Sequence, residues 1–124
     1  MSPKQSAKFF EYAACSTCRK AKKWLDTHGV AYESVPIVDA PPSAAELGDL
    51  VTRSKLPVQK WFNTSGQSYR ALVDRLGKEG VAKLSDAEKI RLLAADGKMI
   101  KRPVLVSREK VLVGFDEAAY GSLK

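Results

Sequence analysis

Between Lys8 and Val35 the hydrophobic period of the chain changes twice, and this most limits what it can fold into. Lys8 to Tyr12 holds Phe9, Phe10 and Tyr12, bulky residues that favour a pleated backbone, and predicts a short buried strand. From Ser16 to His28 the apolar residues Ala21, Trp24 and Leu25 recur at helical spacing, while Lys20, Lys22 and Lys23 point elsewhere. Gly29 supplies the stop. Val30 to Val35 returns to strand character. The result is a β-α-β unit, which calls for two parallel strands joined by a right-handed crossover.

The middle of the chain predicts helices. Pro36, Pro41 and Pro42 break the pattern, and Ser43 with Glu46 three residues on has the form of a capping box. A helix from Ala44 to about Arg53 follows, with Leu47, Leu50 and Val51 facing inward. Val58 to Phe62 reads as a short helix ended by Asn63-Thr64-Ser65-Gly66. Tyr69 to Leu76 and Ser85 to Ala95 are further helices, the second opening on a Ser85/Glu88 capping box and closed by Asp96-Gly97. The end is again β: Val104 to Val106, a turn at Ser107-Arg108-Glu109-Lys110, and Val111 to Val113 form a hairpin ended by Gly114. Asp116 to Leu123 is a closing helix. The expectation is one α/β domain over 1–124, with a helical insertion at approximately 43–98.

The 124 residues suffice for one core without metal or disulfide staples. No apolar run reaches the roughly 20 residues needed to cross a bilayer, and Met1 to Lys8 lacks the apolar stretch of a secretory signal. The cytoplasm is the expected location. The net charge of +7 is spread along the chain and mixed with acids. With no basic tail and no recognisable nucleic-acid module, it reads as a solvated basic surface, and direct nucleic-acid or membrane binding is not expected.

Two cysteines remain to be explained. Cys15-Ser16-Thr17-Cys18-Arg19 lies where the first strand gives way to the helix. A structural zinc site needs four ligands, and Cys15, Cys18 and the single histidine, His28, are the only soft candidates. The metal reading is weak, and no bound cofactor is expected. Redox chemistry fits better. A thiol attacks only as its thiolate, and the start of a helix offers Cys15 free N–H groups and the positive end of the helix dipole. Arg19 adds a cation one turn on. Cys18, three residues after Cys15, can share its helix face and resolve a disulfide formed there. Cys15 is therefore the candidate nucleophile and Cys18 the candidate resolving thiol. Arg102-Pro103 stands directly before a strand. Local sequence leaves open whether Arg102 is a solvated strand-end residue and Pro103 an ordinary trans proline.

These pieces together resemble the arsenate reductase-like (ArsC-like) family, Spx/MgsR branch, of the thioredoxin superfamily. The matching residues are Tyr12-Ala13-Ala14-Cys15-Ser16-Thr17-Cys18-Arg19-Lys20-Ala21, Trp61-Phe62-Asn63-Thr64-Ser65-Gly66, Ile100-Lys101-Arg102-Pro103-Val104-Leu105-Val106 and Val113-Gly114-Phe115, in order along nearly the whole chain. The resemblance implies a thioredoxin-like (glutaredoxin-like) fold with a four-stranded mixed sheet and a helical insertion. It implies a bacterial thiol-dependent oxidoreductase with Cys15, Cys18 and Arg102 as catalytic residues, and with Ser16, Thr17, Arg19 and a cis Pro103 lining the substrate site. Glutathione is the implied co-substrate, and glutathione, glutaredoxin or thioredoxin the implied reductants. The regulator members of the branch imply an alternative, a redox sensor that binds the RNA polymerase α subunit. Glutaredoxin-coupled arsenate reductases carry one cysteine in this loop and further arginines. Here the insertion reads Val58-Gln59-Lys60-Trp61-Phe62-Asn63, and Gly114 stands where another arginine is expected, which weighs against arsenate reduction.

Other chemistry-bearing residues read as structural. His28 suits a helix C-terminus, where it can cap carbonyls. Trp24 and Trp61 suit the core. Asp74, Asp86 and Glu88 read as helix-surface acids. Lys20, Lys22 and Lys23 read as a solvated face that can also steer an anionic partner.

Overall fold

The computed structural model describes residues 7–12, 14–108 and 110–122. The fold divides into two compact units, one built from the chain up to Ile37 and from Arg102 onward, the other from Val38–Lys101.

The first unit is the β-α-β motif plus the terminal hairpin. Strand β1 (Ala7–Glu11) leads into helix α1 (Ser16–Thr27) and strand β2 (Tyr32–Pro36). Strands β3 (Val104–Val106) and β4 (Val111–Val113) and the short helix α5 (Glu117–Gly121) complete it. The sheet order is β2-β1-β3-β4. β1 pairs parallel with β2, Phe9 opposite Ser34, and antiparallel with β3, Phe9 opposite Leu105; β3 and β4 pair antiparallel. A parallel pair needs a crossover, and α1 supplies it. Cys18, Ala21 and Leu25 lie one or two turns apart on α1 and are fully buried. Ala21 and Leu25 pack with Ala7, Phe9, Leu105 and Tyr120 into one apolar cluster. Burying side chains the size of Leu25, Phe9 and Leu105 stabilises by roughly 1.5–3 kcal/mol each, which fixes α1 on the sheet.

The end of α1 shows why the second strand begins later than its composition suggests. Gly29 is left-handed, with φ 69°. The Val30 amide donates to the Leu25 carbonyl at 3.0 Å and the Gly29 amide to the Asp26 carbonyl at 3.4 Å. This is the paired bonding of a Schellman motif, and it consumes Val30, so pairing starts at Tyr32 rather than at Val30.

The second unit contains α2 (Ala44–Ser54), a 3₁₀ turn (Val58–Trp61), α3 (Gln67–Ala82), α4 (Asp86–Ala95) and a second 3₁₀ turn (Gly97–Met99). Ser43 Oγ accepts from the Glu46 amide, and at α4 both halves of the Ser85/Glu88 capping box form. The core here includes Leu47, Leu50, Trp61, Leu72, Leu93 and Ile100. Phe62 and Ile100 form an isolated antiparallel bridge, flanked by Asn63 N–H to Met99 O at 2.8 Å and Lys101 N–H to Trp61 O at 2.7 Å. This bridge joins the start of the unit's loop region to its exit, a long-range pairing with no local signature in the sequence.

α3 departs most from expectation. The sequence predicts a helix over Tyr69 to Leu76, and the structure continues it to Ala82 across a kink at Gly77. Gly77 has φ 77° and ψ 160°, a region essentially reserved for glycine. A Cβ built there meets nothing within 4 Å. Gly77→Ala therefore strains backbone alone, by about 1–3 kcal/mol. The entropy gained by restricting the unfolded chain, about 0.4–1 kcal/mol, is smaller. The expected outcome is a net loss of stability, read from the midpoint of urea unfolding; an unchanged or raised midpoint would refute it.

The closing helix covers Glu117–Gly121 rather than starting at Asp116, because Asp116 is its N-cap and accepts from the Ala118 amide at 3.1 Å. The expected positions Leu123 in that helix, Glu109 in the hairpin turn and Ala13 before the cysteines lie outside the described residues. No helix among the described residues is long and apolar enough to cross a membrane.

Candidate functional site

The candidate site lies within the first unit, at the carboxyl end of β1. The Cys15 amide donates to the Tyr12 carbonyl at 2.9 Å, which closes a tight turn after the strand. Cys15 is then the N-cap of α1, with extended backbone (φ −90°, ψ 118°). The cap acceptor is sulfur: the Cys18 amide donates to Cys15 Sγ at 3.3 Å. The position commonly filled by serine or aspartate is here a cysteine, so the helix cap is a thiol sulfur. Cys15 is partly exposed and Cys18 fully buried, both as free thiols.

Their acidities diverge. Partial burial by itself raises Cys15, but hydrogen bonds from the Cys18 thiol and amide, then the charge and a hydrogen bond of Arg102, outweigh it and hold Cys15 below the ordinary thiol value. Burial pushes Cys18 up to about 12, and the neighbouring Cys15 adds to the rise. One thiol is thus accessible and easily ionised, and the other sits beneath it as a protonated donor.

Arg102 precedes Pro103 across a cis peptide bond. The cis geometry is what the resemblance implied and not the trans alternative that local sequence left open. Pro103 is buried. The Arg102 guanidinium lies over the Tyr12 ring, 4.6 Å from its centroid, a cation–π contact that orients the cation. The structure therefore brings Cys15, Cys18 and Arg102 together, with Tyr12 as a support. Ser16, Thr17 and Arg19 are exposed in the first turns of α1.

Tyr12 and Glu11 carry roles the sequence reading did not assign. Glu11 ends β1, is buried, and takes an ion pair from Lys22 at 3.2 Å and a hydrogen bond from Ser34 Oγ. Lys22 keeps a solvent-exposed side chain and also pairs with this buried acid, and Lys20 and Lys23 are exposed. An acid directly after the apolar pair Phe9-Phe10 was the available signal. His28 caps α1: its amide donates to the Trp24 carbonyl at 3.0 Å, its Nδ1 lies 2.8 Å from the same oxygen, and its ring stacks on Trp24 with centroids 3.9 Å apart. A carbonyl only accepts, so Nδ1 carries the proton in that bond. Among the described residues no group of three or more His, Cys, Asp or Glu gathers as a metal site.

Alkylation should report the site directly. Iodoacetamide is expected to modify Cys15 and spare Cys18, with a rate midpoint below the ordinary thiol value. Arg102→Ala is expected to move that midpoint upward, because it removes a cation that favours the thiolate. Peptide mapping across a pH series checks both; equal labelling of the two cysteines would contradict the first.

Comparison with known proteins agrees with this geometry. The chain is 48% identical over 112 residues to the uncharacterized protein YusI of Bacillus subtilis, covering 90% of this chain and 92% of that protein. It is 24% identical over 112 residues to the regulatory protein MgsR of Bacillus subtilis, covering 90% and 85%. The crystal structure of an ArsC family related protein from Bacteroides fragilis superposes with a TM-score of 0.89 at 43% identity, covering 95% of this chain and 97% of that one. The family profile of ArsC matches residues 10–123. A mixed four-stranded sheet, a helix capped by Cys15 and an Arg-cis-Pro step beside it thus come with a sequence match along almost the full length, and the chain belongs to the ArsC family.

Proposed function

We propose that the chain is a thiol–disulfide oxidoreductase in which Cys15 is the nucleophile and Cys18 the resolving thiol. The observation that carries this reading is the asymmetry of the pair: an accessible, acidified Cys15 Sγ held by the Cys18 amide at 3.3 Å, above a buried Cys18. In the first step the Cys15 thiolate attacks one sulfur of a substrate disulfide. The substrate S–S bond breaks, a Cys15 mixed disulfide forms, and the other half leaves as a thiolate that takes a proton from solvent. In the second step Cys18 attacks Cys15 Sγ, the mixed disulfide breaks, and the second substrate half leaves with the proton that Cys18 gives up. The protein dithiol is oxidised by two electrons and the substrate disulfide is reduced to two thiols. Glutathione, or a dithiol protein such as glutaredoxin or thioredoxin, restores the dithiol by the reverse exchange. Arg102 steadies the Cys15 thiolate and suits the carboxylate of a peptide-like thiol.

The test is exposure of the reduced protein to oxidised glutathione with intact-mass detection. Appearance of a glutathione adduct followed by loss of two hydrogen atoms from the unmodified mass supports the scheme. An adduct that never closes, or no adduct, speaks against it.

A second reading is favoured by the likeness to MgsR. Here the same Cys15–Cys18 pair acts as a redox sensor of a transcription regulator that binds the RNA polymerase α subunit. Retention on immobilised α subunit in one redox state only would support it, and lack of retention in both would remove it.

A further inference from the structure

Helix α1 carries its charges the wrong way round. A helix dipole favours acids in the first turn and bases in the last. α2, α4 and α5 follow that rule and begin on Glu46, on Asp86 with Glu88, and on Glu117. α1 has no acid in its first turn and no base in its last, and Arg19, Lys20, Lys22 and Lys23 all fall in its first two turns. Such a placement costs the helix stability, and local rules of this kind are broken chiefly where a site requires it.

The four cations divide. Lys22 reaches Glu11 at 3.2 Å. Arg19, Lys20 and Lys23 are exposed. Counted from Ser16 they stand three, four and seven residues on, which is one stripe, opposite the buried Cys18, Ala21 and Leu25. Among the described residues neither Lys20 nor Lys23 has an ion pair. Side chains on a helix lean towards its N-terminus, so this stripe leans towards Cys15, the partly exposed N-cap. Along the axis Lys20 stands about 7.5 Å and Lys23 about 12 Å beyond Cys15. An extended peptide advances about 3.3–3.6 Å per residue, so acids about two to four positions from a cysteine joined to Cys15 fall beside the two ammonium groups.

We propose that the exposed stripe of α1 is a docking surface for an acidic polypeptide, so that the disulfide reduced at Cys15 belongs to a protein segment with Asp or Glu about two to four residues from its cysteine. This inference rests on the dithiol reading above and names its substrate class. The exchange itself is the one already written. The lysines hold the segment by charge complementarity and take no part in making or breaking bonds.

The probes are synthetic peptides whose single cysteine carries a thiopyridyl disulfide. Attack of Cys15 on the peptide sulfur breaks that S–S bond and releases pyridine-2-thione, whose absorbance gives the rate. Closure by Cys18 then frees the peptide thiol and is read by intact mass. One peptide has Glu at the second, third and fourth positions from the cysteine, and another has Gln there. Reduced wild type is expected to react with the acidic peptide about tenfold faster at low ionic strength, and equally with both at about 1 M salt. Lys20→Gln/Lys23→Gln is expected to lose this preference and to keep the neutral-peptide rate within about twofold. Lys8→Gln/Lys110→Gln is expected to keep the preference. Those two exposed lysines lie at the other end of the sheet, where β3 runs past Lys8 into the β3–β4 turn. Equal rates for the two peptides in wild type, with closure intact, overturn this inference and leave the dithiol reading standing. A preference that survives Lys20→Gln/Lys23→Gln, or falls as far in Lys8→Gln/Lys110→Gln, belongs to the net charge of +7 and also overturns it. Oxidised glutathione has its carboxylates on the residues next to its cysteine. If it loses as much rate as the acidic peptide in Lys20→Gln/Lys23→Gln, the stripe serves small anions and the polypeptide assignment falls. A neutral peptide that forms no adduct in wild type, or an adduct that never closes, removes the dithiol reading and this inference with it.

Discussion

Cys18→Ser is expected to accumulate a stable mixed disulfide at Cys15, and Cys15→Ser to reduce exchange with disulfide substrates to background. The reason is the division of labour in the site. Cys15 alone is both accessible and acidified, so without it no thiolate meets the substrate. Cys18 is fully buried and held protonated, so it cannot substitute as the entering nucleophile. Removing it leaves the first step available and blocks the second. The Cys18 amide still caps Cys15 Sγ in the serine variant, because that bond comes from the backbone. Mass analysis of adducts captured by Cys18→Ser from a mixture of low-molecular-weight and protein disulfides measures both effects and identifies the preferred partner. Equal turnover in Cys15→Ser would refute the assignment of roles.

Trp61→Ala is expected to destabilise the second unit by about 3–5 kcal/mol, the usual range for deleting a buried aromatic side chain. Trp61 is fully buried, and its ring nitrogen donates to Ser54 Oγ at 3.2 Å. That oxygen also donates to the Val51 carbonyl at 2.7 Å and accepts from the Leu56 amide at 3.2 Å, so it joins the end of α2 to the segment after it. Alanine removes the volume and one arm of this junction together. Set against a total stability of about 5–15 kcal/mol, the loss is a large fraction. Trp61→Phe, which gives up the Ser54 bond and keeps most of the apolar volume, is expected to lose clearly less. Urea unfolding followed by circular dichroism ranks the three proteins; Trp61→Ala with the wild-type midpoint would contradict this.

The sequence was most legible where a short-range signal and a long-range role coincide. The period change around Cys15, the Ser85/Glu88 cap and the Gly29 stop each depend on residues within a few positions of one another, and each forms. The likeness carried by Arg102-Pro103 located the cation that acts on Cys15, although eighty-odd residues intervene. What escaped is what only tertiary contact decides. The helix read over Tyr69 to Leu76 runs on past Gly77 to Ala82, and Val81 beyond the kink is buried. Lys22 is solvated as its neighbours on the chain suggest, but its pairing with Glu11, eleven residues away, has no local signature. Tyr120 carried no signal, since a tyrosine in a short terminal helix is ordinary until its burial is known.

Cys15 Sγ, the nucleophile of the proposed scheme, is also the cap of α1. A thiolate is a good acceptor for the Cys18 amide, and a disulfide sulfur is a poor one. In that scheme each turnover is expected to loosen the first turn of the helix and then fasten it again. The proposed cycle thus writes oxidation state into the backbone as well as into the sulfur, and a partner gripping the opening of α1 would distinguish the spent protein from the charged one without touching either cysteine.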